Sequence, residues 1–129
     1  MRSVTIGVVQ MQCSTSPKDN LDKAEALVRK AAADGANVIL LPELFQFPYF
    51  CQERQYGHFS YATPTESNQA VARFATVAKE LGVVLPISFF ERDGNRLFNS
   101  VAMLDADGIM LGVYRKTHIP DDHFYQEKF

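Results

Sequence analysis

The chain has 129 residues, 47% of them hydrophobic and 22% charged, with a net charge of −2 and an isoelectric point near 5.9: the composition of a soluble globular domain. It lacks the basic footprint of a nucleic-acid binder, and no apolar run approaches the ~20 residues that span a bilayer. The N-terminus enters a strand-like pattern with no signal peptide, and Cys13 and Cys51 read as free thiols. The expectation is therefore a cytoplasmic protein with neither nucleic-acid nor membrane partners.

Val4 to Gln10 is rich in β-branched residues and predicts a buried strand. A polar connection leads to Ser16-Pro17, where Ser16 can cap a helix, Pro17 suits its first turn and Asp19 stands three residues after the cap. Leu21, Ala24, Val28 and Ala31, with Leu27 beside them, form one apolar stripe, and Gly35 is a natural stop. Asn37 to Leu41 is a second apolar strand. Strand, helix and strand in about forty residues read as a βαβ unit with parallel strands.

The second strand ends in Pro42-Glu43. Proline lacks an N–H, so the ladder should stop there and leave Glu43 just beyond the carboxyl end of a strand, where open α/β sheets place their ligands. A salt-bridged surface acid is the plain alternative. Leu44 to Pro64 is a long loop with seven aromatics, Phe45, Phe47, Tyr49, Phe50, Tyr56, Phe59 and Tyr61, which should pack as a lid over the strand ends or wall a pocket.

A second helix carries Val71, Phe74, Ala75, Ala78 and Leu81 on one face and ends at Gly82. Val83 to Phe90 is a third strand. The turn signals Asp93-Gly94-Asn95 and Asp107-Gly108 flank a fourth, Leu97 to Leu104, and the fifth is Ile109 to Arg115. The last three should form an antiparallel meander joined to the parallel pair, giving a mixed sheet with two helices on one face. Strands apolar on both faces need a further layer on the other side, so the ending at Phe129 looks premature.

Leu41-Pro42-Glu43-Leu44-Phe45, Tyr49-Phe50-Cys51-Gln52, Phe98-Asn99-Ser100 and Tyr114-Arg115-Lys116-Thr117-His118-Ile119-Pro120 occur together and in order, and on these segments the chain resembles the nitrilase superfamily of carbon–nitrogen hydrolases. Within it the likeness is to the N-carbamoylputrescine amidases and covers the whole chain. The resemblance implies an α/β chain forming the first half of a nitrilase-like α-β-β-α sandwich, a single incomplete domain over residues 1–129 whose complete protein is a homo-oligomer. It also implies hydrolysis of a linear amide or ureido bond through a covalent thioester.

By motif, Glu43 matches the family's general base, Lys116 its lysine and Glu127 its second glutamate, while the nucleophilic cysteine belongs to a second half beyond Phe129. A carboxylate that takes a thiol's proton raises its reactivity, and a lysine can donate to the oxyanion of the tetrahedral intermediate. Cys51 and Cys13 do not fill the nucleophile's place and read as buried or pocket-lining thiols. A cysteine-histidine hydrolase built from Cys51 with His58, His118 or His123 has no supporting spacing, and no HxH or HExxH pattern backs a metal site. No cofactor is expected.

For a small-molecule substrate with a ureido head and a cationic tail, Asp121 and Asp122 are candidate amine partners, with Tyr49, Phe50 and His118 lining the pocket. Other N-carbamoyl compounds remain open. N-carbamoyl-β-alanine would require an arginine, for which Arg54 is available, and a half-sandwich that only assembles with other subunits is the reading from a different class.

Overall fold

The computed structural model describes residues 3–53 and 55–121. Strand β1 (Ile6–Val8) leads into helix α1 (Pro17–Ala33) and strand β2 (Val38–Leu40), after which helix α2 (Gln69–Leu81) precedes the strands β3 (Leu85–Asp93), β4 (Arg96–Leu104) and β5 (Met110–Arg115). The class is α/β. β1 and β2 are parallel, with Gly7 opposite Ile39, and β3, β4 and β5 form an antiparallel meander. The two sheets meet at a parallel bridge between Val38 and Val84, where Ile39 donates to the Val84 carbonyl at 3.0 Å and Val84 to that of Asn37 at 2.9 Å.

The helices form where local chemistry starts and stops them. Ser16 Oγ accepts the Asp19 N–H at 3.3 Å at the head of α1, Asn68 Oδ1 accepts that of Val71 at 3.1 Å at the head of α2, and Gly82 closes α2 in the left-handed conformation (φ 65°). Both helices lie on one side of the sheet. Val28, Ala24, Phe74 and Ala78 meet Ile39, Leu85, Ile87, Phe89, Ala102 and Leu104 in a single core, and Phe74 packs edge-on against Phe45 at 5.7 Å. Across the helix pair, Arg73 Nε stands 2.6 Å from Glu25 and its Nη1 2.7 Å from Asp22, while Arg29 reaches Glu80 at 2.7 Å. The Arg73 hydrogen bond, opposed by partial burial and assisted by Arg29, holds the Glu25 carboxyl below its ordinary range.

The first strand differs from the expectation of burial. Only three residues pair, and Ile6 and Val8 are 68% and 74% exposed, because the helices cover one face alone and Gly7 is the β1 residue turned toward Ala31 and Ala36. Leu40 and Met103 are exposed on this open side as well. The other boundaries move by one to three residues, β3 continuing to Asp93 where a stop at Phe90 was expected. No helix among the described residues is long and apolar enough to cross a membrane.

The aromatic segment is more ordered than a plain loop. It contains three short 3-10 turns, Phe50–Gln52, Tyr56–Tyr61 and Thr65–Ser67, and its end is tied to β3, with Thr63 donating to the Phe90 carbonyl at 3.2 Å. Phe47 stacks on Tyr61 at 4.0 Å, and Phe50 contacts both Tyr61 and Phe90, so a second small core forms around Leu44, Phe50 and Cys51. Buried asparagines lock this segment to the helices: Asn20 donates to the Gln46 carbonyl at 3.0 Å, and Asn68 donates to Gln46 Oε1 at 3.1 Å.

Candidate active site

Glu43 lies one turn beyond β2, between two backbone constraints. Pro42 fixes the preceding φ, and Leu44 adopts the left-handed region at φ 53°, a conformation that costs a β-carbon residue of order 1–3 kcal/mol when held. The Leu44 N–H is buried and donates to Ser88 Oγ of β3 at 3.0 Å, while the Leu44 carbonyl accepts from Phe47 at 3.3 Å. Glu43 is thereby turned out of the strand line toward the ends of β4 and β5.

Lys116 arrives from the end of β5. Its N–H donates to the Asn99 carbonyl at 2.8 Å, and its Nζ stands 3.1 Å from Glu43 Oε1. Asn99 Nδ2 donates to the same oxygen at 2.6 Å. Two donors, Asn99 from β4 and Lys116 from just beyond β5, thus converge on one carboxylate oxygen of Glu43. Lys116 is 29% and Glu43 43% exposed in their side chains, so the pair faces outward at the open side of the sheet.

Behind Lys116, Arg115 anchors the strand end. Its guanidinium forms paired bonds to buried Glu91 at 2.6 and 2.9 Å, reaches Asp93 at 3.0 Å and lies over the Phe98 ring at 4.0 Å. Ser100 Oγ donates to Glu91 at 2.6 Å. The Arg115 bond, opposed by burial and aided by Ser100, holds the Glu91 carboxyl below its usual range.

Two cavities flank Lys116 and Asn99. One, of about 340 Å3, is walled by Phe50, Phe59, Phe90, Phe98, Leu44 and Cys51, with Ile119 and Leu97 at its rim. The other, of about 270 Å3, lies on the open sheet side between Glu43, Leu40, Ser88, Val101 and Tyr114. The aromatic segment walls a pocket, as expected. Cys51 is buried and Cys13 partly buried, and both are free thiols. Burial pushes the Cys13 thiol up, with Lys23 opposing.

Of the residues singled out from sequence, the structure brings together Glu43, Lys116 and, on the wall of the larger cavity, Phe50. Tyr49 is half-buried against the small aromatic core, while His118 and Asp121 are exposed and line neither cavity. Glu127, Asp122, His123 and Arg54 lie outside the described residues. Asn99 and Ser88, which hold Glu43 and its turn, were not singled out as site residues. Asn99 sits within the Phe98-Asn99-Ser100 segment, while Ser88 has no sequence signal. Among the described residues no three His, Cys, Asp or Glu side chains cluster to hold a metal ion.

The strand-end glutamate and its lysine stand on an α/β chain, and the family model for carbon–nitrogen hydrolases matches residues 5–128: the chain belongs to the carbon–nitrogen hydrolase family. It is 49% identical over 126 residues to an N-carbamoylputrescine amidase from Oryza sativa subsp. japonica, which covers 98% of this chain and 42% of the relative. It is 43% identical to a citrullinase from Francisella tularensis subsp. tularensis over 129 residues, 100% of this chain and 45% of the relative. The crystal structure of a carbon–nitrogen hydrolase from Helicobacter pylori G27 superposes with a TM-score of 0.89 at 34% identity, over 97% of this chain and 43% of that one. The chain therefore spans less than half the length of the relatives it matches.

Proposed function

We propose that the chain supplies the base and the lysine of an enzyme that hydrolyses a linear ureido C–N bond, with N-carbamoylputrescine as substrate and putrescine, CO2 and ammonia as products. The observation that carries this reading is the 3.1 Å pairing of Lys116 Nζ with Glu43 Oε1 beside an aromatic-walled cavity. Glu43 takes the proton of a cysteine thiol supplied from outside this chain, and the thiolate sulfur attacks the carbonyl carbon. Lys116 donates to the oxyanion, the C–N bond breaks, and the leaving nitrogen takes the proton back from Glu43. Water, deprotonated by Glu43, then attacks the thiocarbamate carbon, the sulfur leaves and takes the proton back from Glu43, and the carbamic acid so released loses CO2 to free the second nitrogen. Glu127 holds the lysine charged and oriented in this reading.

The relatives named for N-carbamoylputrescine and for citrulline support a ureido head, since both compounds carry one. They differ in the tail. In this reading Phe50 walls the methylenes, and the terminal amine is met in the complete enzyme by Asp121 and Asp122 with His118. The test is ammonia release by the complete enzyme from N-carbamoylputrescine, citrulline and N-carbamoyl-β-alanine in parallel. Highest kcat/KM with N-carbamoylputrescine is expected; preference for either of the others overturns the substrate, and turnover of none overturns the reaction class.

A further inference from the structure

We infer that Ser88 is a positioning residue for Glu43, acting through the left-handed backbone of Leu44; this rests on the reading of Glu43 as the base. The Ser88 hydroxyl projects from β3 and accepts the Leu44 N–H at 3.0 Å, joining residues 44 positions apart in a buried contact. Leu44 is a β-carbon residue at φ 53°, the region L side chains rarely adopt, and it immediately follows Glu43. Such a conformation persists only where its surroundings over-determine it, and these surroundings are specific. Proline fixes the residue before Glu43, the serine hydroxyl holds the N–H after it, and the Leu44 side chain is sunk in the small core with Phe50 and Cys51.

Removing the hydroxyl leaves the Leu44 N–H buried without a partner, so the turn relaxes toward an ordinary backbone. The Glu43 carboxylate then swings off the point where Asn99 and Lys116 meet it at 2.6 and 3.1 Å. Ser88 also borders the cavity that holds Glu43, so a methyl can be added there without entering the core. A misplacement of that kind acts on the reacting geometry rather than on substrate affinity.

The experiment compares Ser88→Thr with Ser88→Val in the complete enzyme, two side chains of one shape that differ in the hydroxyl alone. Thr is expected to retain most of the kcat and Val to lower it about tenfold with KM alike in the two, beside a modest fall in the melting temperature of Val from the unpaired Leu44 N–H. A Thr–Val pair with the same kcat, or a Val loss carried by KM or melting temperature alone, overturns the inference. Glu43→Gln is measured alongside. Turnover that survives it overturns the reading of Glu43 as base and this inference with it, whereas turnover lost in Glu43→Gln but equal in Thr and Val overturns this inference alone.

Discussion

Lys116 Nζ and Glu43 Oε1, 73 positions apart in sequence, stand 3.1 Å apart at the open side of the sheet, and the Asn99 carboxamide donates to the same oxygen at 2.6 Å. Exposed pairs of this kind contribute about 0–1 kcal/mol to stability, so the constellation is not explained by what it adds to folding.

That asymmetry gives the first prediction. Lys116→Ala in the complete enzyme should lower kcat about a hundredfold to a thousandfold, as loss of one oxyanion donor does, while the melting temperature barely changes. Steady-state kinetics beside thermal unfolding checks it. A large drop in melting temperature with little change in kcat would make the pair structural.

Glu43→Gln keeps the shape and removes the proposed base. Its kcat should fall roughly a hundredfold or more, with KM near that of the parent enzyme. Near-normal turnover is the result that contradicts it.

Asn99 tests orientation separately from charge. Asn99→Ala frees Glu43 Oε1 from one of its two donors among the described residues and should cost about 1 kcal/mol of barrier or more, seen as a lower kcat. Asn99→Asp sets a second carboxylate at 2.6 Å from the first and should be worse. Equal activity of the two variants would show that Asn99 does not steer Glu43.

Glu91 predicts a pH dependence of stability. Its folded carboxyl lies below the ordinary value near 4.5, chiefly through Arg115. A depressed acid binds fewer protons folded than unfolded, so its contribution is fully present above that ordinary value and is lost as pH falls through the folded value. Denaturant unfolding from neutral pH down through the acid range should show this loss, and Glu91→Gln, already lacking it, should show a shallower one. Parallel curves for the two proteins would refute the assignment.

Gly108 closes the β4–β5 turn against α2 at φ 83°, and a Cβ there would meet the Ala75 carbonyl oxygen at 2.5 Å. Gly108→Ala is expected to destabilise by about 2 kcal/mol or more, measured by the shift of the urea midpoint, whereas a neutral effect would require α2 to yield freely.

What could be read in advance was what neighbours in sequence decide. Ser16 with Pro17, Gly82 after Leu81 and the two Asp-Gly turns act over three or four residues, and helix ends and hairpins fell where those signals stand. The parallel pair and the meander followed from periodicity and spacing. Glu43 and Lys116 were visible because short motifs surround them. Asn20, Asn68 and Gln46, the Arg115–Glu91 pair and the Ser88 hydroxyl on Leu44 were not, since each joins residues between 22 and 44 positions apart whose partnership exists only after the chain has folded. The exposure of Ile6 and Val8 was equally illegible, because a β-branched run looks alike whether one face or both are covered.

The join between the parallel pair and the meander has a mechanical consequence. Glu43 hangs from the first of these units and Lys116 with Asn99 from the second, so the site straddles a seam whose backbone rungs centre on Val38 and Val84. Opening along that line would part acid from lysine while leaving the hydrogen bonds within each unit in place. The Ser88–Leu44 bond crosses the same line and works as a hasp across it. The amides of Ile39, Val84 and Leu44 are thus the natural gauges of how often the half-site stands open, and their hydrogen exchange reports on readiness for chemistry rather than on the strength of the core.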